Sequence, residues 1–544
     1  MTLAKRSLFS TSSARFHSAL PWIILLPLWL FLAWFYLPVT RGDFVADDYV
    51  FLTTSRMVNT PLAAFWQSHF YEPYYFRPIG VLSWWVLTYL FGLDYTSHSL
   101  LNLLLHGANA GLLIWLLRAL ALRSSAVIAG VVLFALSPFA LATILWPSNR
   151  FDLLACGFLL MQAIAMVRAL QGNVLALPLA MLTALAACWS KELAYPVATV
   201  MAFVALAARG VPWKRRAVLF ALLGLAIGGA FFMRHITVSS AYALAGSDPI
   251  GQVVGGAATM ISVLPQLTGL IVGAERASWF GWALVGALLV ALVWTRRDVD
   301  DMNGMLGGAL LILLAAFLVQ TPLAKNFAIM LDGGSFGTIT YARFYYAPWL
   351  AASALVALLL TRGRLGGIAA MAIVGVTIAA AITARPLPES FASWTRTEVR
   401  QISIAATKAV EEGATATAAC TYVFLGTQTK HPYFRMFSDV TVKARTTMAD
   451  KVWRCYVMTE STPWLFAFPA SVTPVDLPLR PISNPDGATK PDSLWSSIRY
   501  RYRLPAMDLL ALPNARFFDW REGAFVDVTE EVTGGARKIK SQDW

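Results

Sequence analysis

The sequence predicts an α-helical polytopic membrane protein of about 11 transmembrane helices, followed by a C-terminal extracytoplasmic soluble α/β domain. Three observations predict it. Of 544 residues, 58% are hydrophobic and only 13% are charged, against ~25% charged in an ordinary soluble domain. The apolar excess is gathered into runs of roughly 17 residues or more, enough to span a bilayer core. After Arg385 those runs stop, proline and charge rise, and about 160 residues remain, enough for one soluble domain.

Taken in order, spans are expected at 21–39, 99–117, 125–145, 152–169, 174–190, 193–208, 217–234, 279–294, 305–322, 344–361 and 366–384. The first follows Lys5, Arg6 and Arg15 and ends in aromatic residues with no small-residue cleavage site, so it reads as an uncleaved helix with its N-terminus inside. Two further apolar pieces, 79–92 and 253–273, are assigned by charge. Arg118 with Arg123, Arg168, Arg209 with Lys214 to Arg216, Arg296 with Arg297, and Arg362 with Arg364 belong on the cytoplasmic side by the positive-inside rule. That holds only if neither piece crosses, so each is expected to lie along the outer surface or to re-enter. The long outer segments are then 40–97, 235–277 and 323–343, and residues 1–385 form the membrane domain.

Residues 386–544 form the outer, periplasmic domain. Trp394, Val399, Ile402, Ala406 and Val410 recur at helical spacing over 390–412, and 420–426 and 452–458 read as short strands. The net charge of +13 raises a nucleic-acid partner, but the cations sit in short clusters between apolar runs, which marks topology instead. Of four cysteines, Cys156 and Cys188 lie in apolar runs as small hydrophobes. Cys420 and Cys455 lie in the outer domain, where oxidation is permitted, each in a strand-like segment, and a disulfide between them is expected, the alternative being two unrelated buried thiols. Closing that loop of ~35 residues would stabilise the domain by about 3–4 kcal/mol in the chain-entropy picture.

Candidate chemistry collects in polar islands at the outer ends of the spans. The first outer loop carries Asp47-Asp48; paired acids repel, and one can serve as a general base or attract a cation, or both can be ordinary solvated loop acids. Arg77 stands among aromatics in Tyr74-Tyr75-Phe76-Arg77-Pro78, suited to a phosphate or to anchoring at the interface. His98, Asn102 and His106 share one helical face; the histidines are two turns apart, too far for one metal ion, so helix–helix hydrogen bonding is the better reading. Further islands are Trp146 to Asp152, Ser190-Lys191-Glu192, and Thr340 to Tyr346. Each could be an interfacial cap. The predicted topology nevertheless puts all of them on the face that carries Asp47 and Asp48, as a charged, lipid-linked substrate would require.

The ordered set of motifs resembles the C-type membrane glycosyltransferases, especially the protein O-mannosyltransferase-like branch. It comprises the acid pair, the aromatic-Arg-Pro segment leading to Phe91-Gly92, His-x3-Asn-x3-His, Arg150-x-Asp152-Leu-Leu, Ser190-Lys191-Glu192 and Tyr341-x-Arg343-Phe344-x-Tyr346. The resemblance covers roughly residues 20–385; the helical repeats of one group of relatives are missing, and the tail matches nothing familiar. It implies transfer of a sugar from a polyprenyl phosphate to an acceptor at the outer face of a bacterial inner membrane, usually with inversion. Asp47 first, and Asp48 second, would be the general base. Lys191 and Arg343, with Arg77 third, would hold the departing phosphate, as preorganised cations hold developing charge. Arg150, Asp152, Glu192, Tyr341 and His98 would organise the site. Some relatives need a divalent metal and others do not; no ligand cluster in the sequence decides it. The acceptor is a protein, a lipid or a polysaccharide, and the other partners are membrane lipids. The runner-up is a transporter or flippase for a lipid-linked sugar, disfavoured because no inverted repeat is visible; a non-enzymatic assembly or sensor protein is a third reading.

Overall fold

The computed structural model describes residues 23–44, 76–237, 249–272, 300–326, 341–361, 366–396, 514–521 and 524–537, with shorter pieces at 48, 51–52, 55, 61–66, 338–339, 420–425, 455–459, 480–481, 502–503 and 510. The chain is mostly helical. Among the described residues, seven helices are long and apolar enough to cross a membrane, and five apolar helices are shorter. In chain order the helices are α1 (Leu25–Tyr36), α2 (Pro78–Phe91), α3 (Tyr95–Ala119), α4 (Ser124–Ala135), α5 (Leu141–Leu145), α6 (Arg150–Leu170), α7 (Ala176–Cys188) and α8 (Ala194–Leu206). They continue with α9 (Trp213–Thr237), α10 (Pro249–Val272), α11 (Asp300–Asn326), α12 (Tyr346–Leu360), α13 (Gly366–Thr383) and α14 (Pro386–Trp394).

Local sequence explains where these helices start and stop. Asp94 caps α3, its carboxylate accepting from the backbone N–H groups of Thr96 and Ser97, and α3 closes with Arg118 in its last turn, where a cation suits the helix dipole. The single span expected at 125–145 is broken. Pro138 lacks an N–H and pushes Ser137 out of helical geometry, so α4 ends at Ala135 and a 3₁₀ turn (Pro138–Ala140) leads to α5. Ser137 Oγ accepts from Phe139 N at 3.1 Å and repairs part of the break.

Small residues let helices approach. Ala176, Ala180, Ala184 and Ala187 on α7, and Ala194, Ala198, Ala202 and Ala205 on α8, are all buried. This spacing of three to four residues puts each row on one face, the pattern by which helices associate where lipid supplies no hydrophobic drive. Large apolar side chains point outward instead, among them Leu225, Phe231 and Phe232 on α9 and Ile368 and Met371 on α13. Exposed apolar surface of this extent belongs against lipid. The protein is therefore a polytopic α-helical membrane protein.

Residues 253–272, expected to lie along the outer surface or to re-enter, fall in α10, a 24-residue helix with the length and composition to cross. It packs along α11, and Gly256 sits directly on the backbone of Thr321, where a Cβ would come within 1.8 Å of the carbonyl oxygen. Charge counting takes 279–294 as the crossing segment instead; that stretch lies outside the described residues. The other ambiguous piece, 79–92, is the 14-residue α2, short of a full span.

Beyond the membrane helices, β2 (Cys455–Thr459), β1 (Cys420–Leu425), β5 (Ala515–Arg521) and β6 (Ala524–Asp527) form one sheet in the order β2-β1-β5-β6. The first three are parallel and β6 is antiparallel to β5. Two-residue strands β3 (Arg480–Pro481) and β4 (Tyr502–Arg503) pair separately. Val423, Leu425 and Phe517 are buried with Val528 and Val532, the last on a short helix α15 (Thr529–Thr533). The strands expected at 420–426 and 452–458 are thus present, the second starting three residues later. The helix expected at 390–412 is described only through residue 396.

Candidate active site

Six segments spread along the sequence meet at one end of the bundle. The first outer loop reaches it from α1 through a 3₁₀ turn, Leu37–Arg41. Phe44 is buried and makes edge contacts with the rings of Tyr95 and His98 at the start of α3. Asp48 is fully buried, and its Oδ1 accepts from both Ser148 N (2.8 Å) and Ser148 Oγ (2.5 Å). These donors lie in the 3₁₀ turn Pro147–Asn149 that opens α6, where unsatisfied N–H groups and the helix dipole favour a carboxylate. Asp47 lies outside the described residues.

Arg150, in the first turn of α6, is completely buried. Its Nε donates to Asn102 Oδ1 at 3.1 Å and its Nη2 to the backbone oxygen of His98 at 3.0 Å, with His98 Nδ1 at 3.3 Å. The guanidinium lies 4.7 Å from the ring centre of Trp84 on α2. Asn102 also donates to the backbone oxygens of Thr143 and Trp146, and His106 joins Tyr346 Oη to the Ala135 oxygen. The His98-Asn102-His106 face is therefore an interhelical hydrogen-bonding stripe, as its spacing suggested. Among the described residues, no three His, Cys, Asp or Glu side chains gather as a metal ion would require.

The predicted phosphate cations are brought together, though not as bare charges. Lys191 Nζ donates to Asp152 Oδ2 at 2.5 Å. Arg77 grips Glu192 in a fork, with Nε at 2.9 Å and Nη2 at 2.6 Å from Oε2, and its guanidinium stands 5.2 Å from the Phe151 ring centre. Arg343, in the 3₁₀ turn Ala342–Tyr345, lies over the rings of Trp146 (4.9 Å) and Phe344 (5.0 Å). Burial lowers the pKa of Lys191; Asp152 opposes the shift, while the neighbouring charges of Arg77 and Arg343 reinforce it. Burial alone would raise the Glu192 carboxyl, but the charge and hydrogen bonds of Arg77 outweigh it and hold it below its usual range. Asp152 Oδ1 is buried with no hydrogen-bond donor among the described residues. Tyr341 stands one layer back, donating to the Ala324 oxygen at 2.9 Å and fixing the end of α11 against the turn that carries Arg343.

The structure thus joins Asp48, Arg77, Arg150, Asp152, Lys191, Glu192 and Arg343 into one polar end of the bundle, with His98 beneath Arg150 and Tyr341 behind Arg343. Sequence reasoning missed four contributors. Ser148 stood inside a noted motif, and its place before a helix N-terminus was the available signal. Trp146, the ring platform for Arg343, opened the same motif without a sign of that role, and Trp84, the platform for Arg150, gave no signal. Neither did Thr395, whose Oγ1 accepts from Asp43 N at 3.1 Å across the base of the first loop.

No protein-family model and no curated protein matches the sequence. Among solved structures, the chain is similar to ArnT from Cupriavidus metallidurans, described in a crystal structure bound to undecaprenyl phosphate. The two are 12% identical over 82% of this chain and 90% of that one, with a TM-score of 0.30. The chemistry of the site has to be read from its own residues.

Proposed function

We propose that this protein is a glycosyltransferase that moves a sugar from a polyprenyl-phosphate donor to an acceptor hydroxyl at the outer face of a bacterial inner membrane. The observation that carries the reading is the gathering of three cations from three separate segments, Arg77, Lys191 and Arg343, around Asp152 and Glu192, beside the head of α6 on which the buried Asp48 is held. A lipid-linked phosphate presents a negative headgroup at a membrane surface, and clustered Lys and Arg side chains supply its charge complement. In this reading Asp47 takes the proton from the acceptor hydroxyl, and the freed oxygen attacks the anomeric carbon from the face opposite the phosphate, with inversion. The carbon–oxygen bond to phosphate breaks, and Lys191, Arg343 and Arg77 stabilise the charge that the leaving group gains. Asp48 fixes the loop, Arg150 and His98 hold the floor on which it rests, and Asp152 and Glu192 orient their cations.

The reading sets α10 and α11 as antiparallel neighbours and keeps the polar end, the first loop and everything after residue 385 outside, with the N-terminus in the cytoplasm. If α10 crosses in place of 279–294, the number of crossings before Arg343 is unchanged and the same side results. The test is purified protein in detergent with a panel of radiolabelled undecaprenyl-phosphate sugars. Time-dependent release of undecaprenyl phosphate, absent in Asp47→Asn, is expected. Passage of intact donor across proteoliposomes without cleavage would establish the transporter instead.

A further inference from the structure

Two of the four cysteines have no part in the membrane bundle. Cys420 opens β1 and Cys455 opens β2, and the parallel register of these strands makes the two residues Cα partners. The pairing continues through Thr421 with Tyr456, Tyr422 with Val457, Val423 with Met458, and Phe424 with Thr459, so the match at the cysteines is the first step of a continuous ladder. Registered partners in adjacent strands fall on the same face of a sheet, and neighbouring strands run about 4.7–4.9 Å apart. That spacing lies inside the roughly 4.4–6.8 Å between Cα atoms that a disulfide spans. Alternation gives positions 420 and 455, as registered partners, one shared face of the ladder.

We infer that Cys420 and Cys455 form a disulfide that staples β2 to β1. Among the described residues, β2 is an edge strand of the sheet, and β1 is its neighbour there. An edge strand has a partner on one side only and is the part of a sheet most open to fraying and to mispairing. A covalent tie at its first residue fixes the register at the end where the ladder begins, and a slip of one residue would carry every side chain of β2 to the other face. In forming the bond the two S–H bonds break, one S–S bond forms, and two protons pass to solvent. The two electrons reduce an incoming disulfide, protein or small molecule, whose S–S bond breaks to give two thiolates, and these take up two protons from the same solvent to become thiols. The inference stands apart from sugar transfer; it requires that the C-terminal domain face an oxidising compartment.

The remaining two cysteines supply an internal reference. Cys156 and Cys188 are buried, unpaired thiols in α6 and α7. Full-length protein extracted with N-ethylmaleimide present, denatured in SDS without reductant and labelled with a mass-tagged maleimide should carry two blocked or labelled thiols, rising to four after reduction. Peptide mapping should recover Cys420 linked to Cys455. Cys420→Ser should raise the unreduced count from two to three by freeing Cys455. Four reactive thiols in unreduced wild-type protein would overturn the inference, as would an unchanged count of two in Cys420→Ser. Neither count reads donor cleavage, so the outcome is independent of whether the protein transfers a sugar.

Discussion

Asp48 and Ser148 meet through one oxygen atom: Asp48 Oδ1 accepts both the backbone N–H and the hydroxyl of Ser148. The two residues are 100 positions apart, so this contact pins the first outer loop to the head of α6. An acid with an oxygen already committed to two donors is held in place, which suits a positioning role better than repeated proton transfer.

From that contact we expect Asp47→Asn to abolish transfer while leaving donor binding and thermal stability near wild type. The near-isosteric amide cannot take the acceptor proton. Asp48→Asn and Ser148→Ala should instead lower the thermal midpoint in detergent, by an amount equivalent to about 1–3 kcal/mol for a hydrogen-bonded buried charge, and reduce turnover with it. Labelled-donor turnover beside thermal midpoints decides between the two. Near-normal turnover in Asp47→Asn with none in Asp48→Asn would move the base by one residue.

A pH experiment isolates Lys191. Because its folded pKa is lowered, the folded protein releases this proton before the unfolded chain does. Folding stability from this group therefore rises as pH climbs from the lowered value toward the ordinary ~10.4, and the charge offered to phosphate is lost over the same window. Binding of undecaprenyl phosphate should weaken on an alkaline limb that begins below the ordinary lysine range. Lys191→Arg should remove the limb, since a guanidinium stays charged past about 12. Lys191→Ala and Arg343→Ala should each cost turnover by about 2–4 kcal/mol of transition-state stabilisation. Unchanged kinetics in both would place the phosphate elsewhere.

How much of this was legible in the sequence differs by the length scale of the interaction. Apolar runs and loop charges gave most helices, because burial in lipid acts residue by residue and leaves its pattern in composition. The break at Ser137-Pro138 was equally local and was overlooked because hydropathy is blind to a missing N–H. The acids and cations of the site were found from motifs, but their pairings were not. Lys191 with Asp152 and Arg77 with Glu192 span 39 and 115 positions, and nothing in either segment names its partner. The stacking of Arg150 on Trp84 and the place of Thr395 depend on helix packing alone, and no short motif records them.

Thr395 yields its own prediction. It is fully buried at the end of α14, accepts from Asp43 N, and donates to Ala392 O at 3.0 Å. Gly42 packs so closely that a Cβ there would meet Thr395 Oγ1 at 2.8 Å. The helix that leads into the C-terminal domain thus clasps the base of the loop carrying Asp47 and Asp48. Thr395→Val removes this acceptor from the half-buried Asp43 N–H, a loss of about 1 kcal/mol. We expect a lower thermal midpoint and a lower kcat at unchanged donor affinity, both restored by Thr395→Ser. A kcat equal to wild type in Thr395→Val would show that the clasp does not govern the loop.

The last prediction tests whether α10 crosses the membrane. Gly256 is where α10 meets the backbone of Thr321, and that backbone has no side-chain end to swing aside. Gly256→Ala must push α10 and α11 apart, and overpacking of this kind costs about 1–3 kcal/mol or more. Gly228 on α9 faces open space, so Gly228→Ala serves as the control and should leave the midpoint unchanged or slightly raised, alanine being the better helix former. If α10 crosses the membrane beside α11, cysteines introduced singly as Ile250→Cys and Val272→Cys in a background without native cysteines should react with an impermeant thiol reagent from opposite sides. Reaction of both from the outer side would return α10 to the surface position that charge counting first assigned it. It would also put the crossing back into 279–294, since Arg343 must still reach the face that holds Asp48.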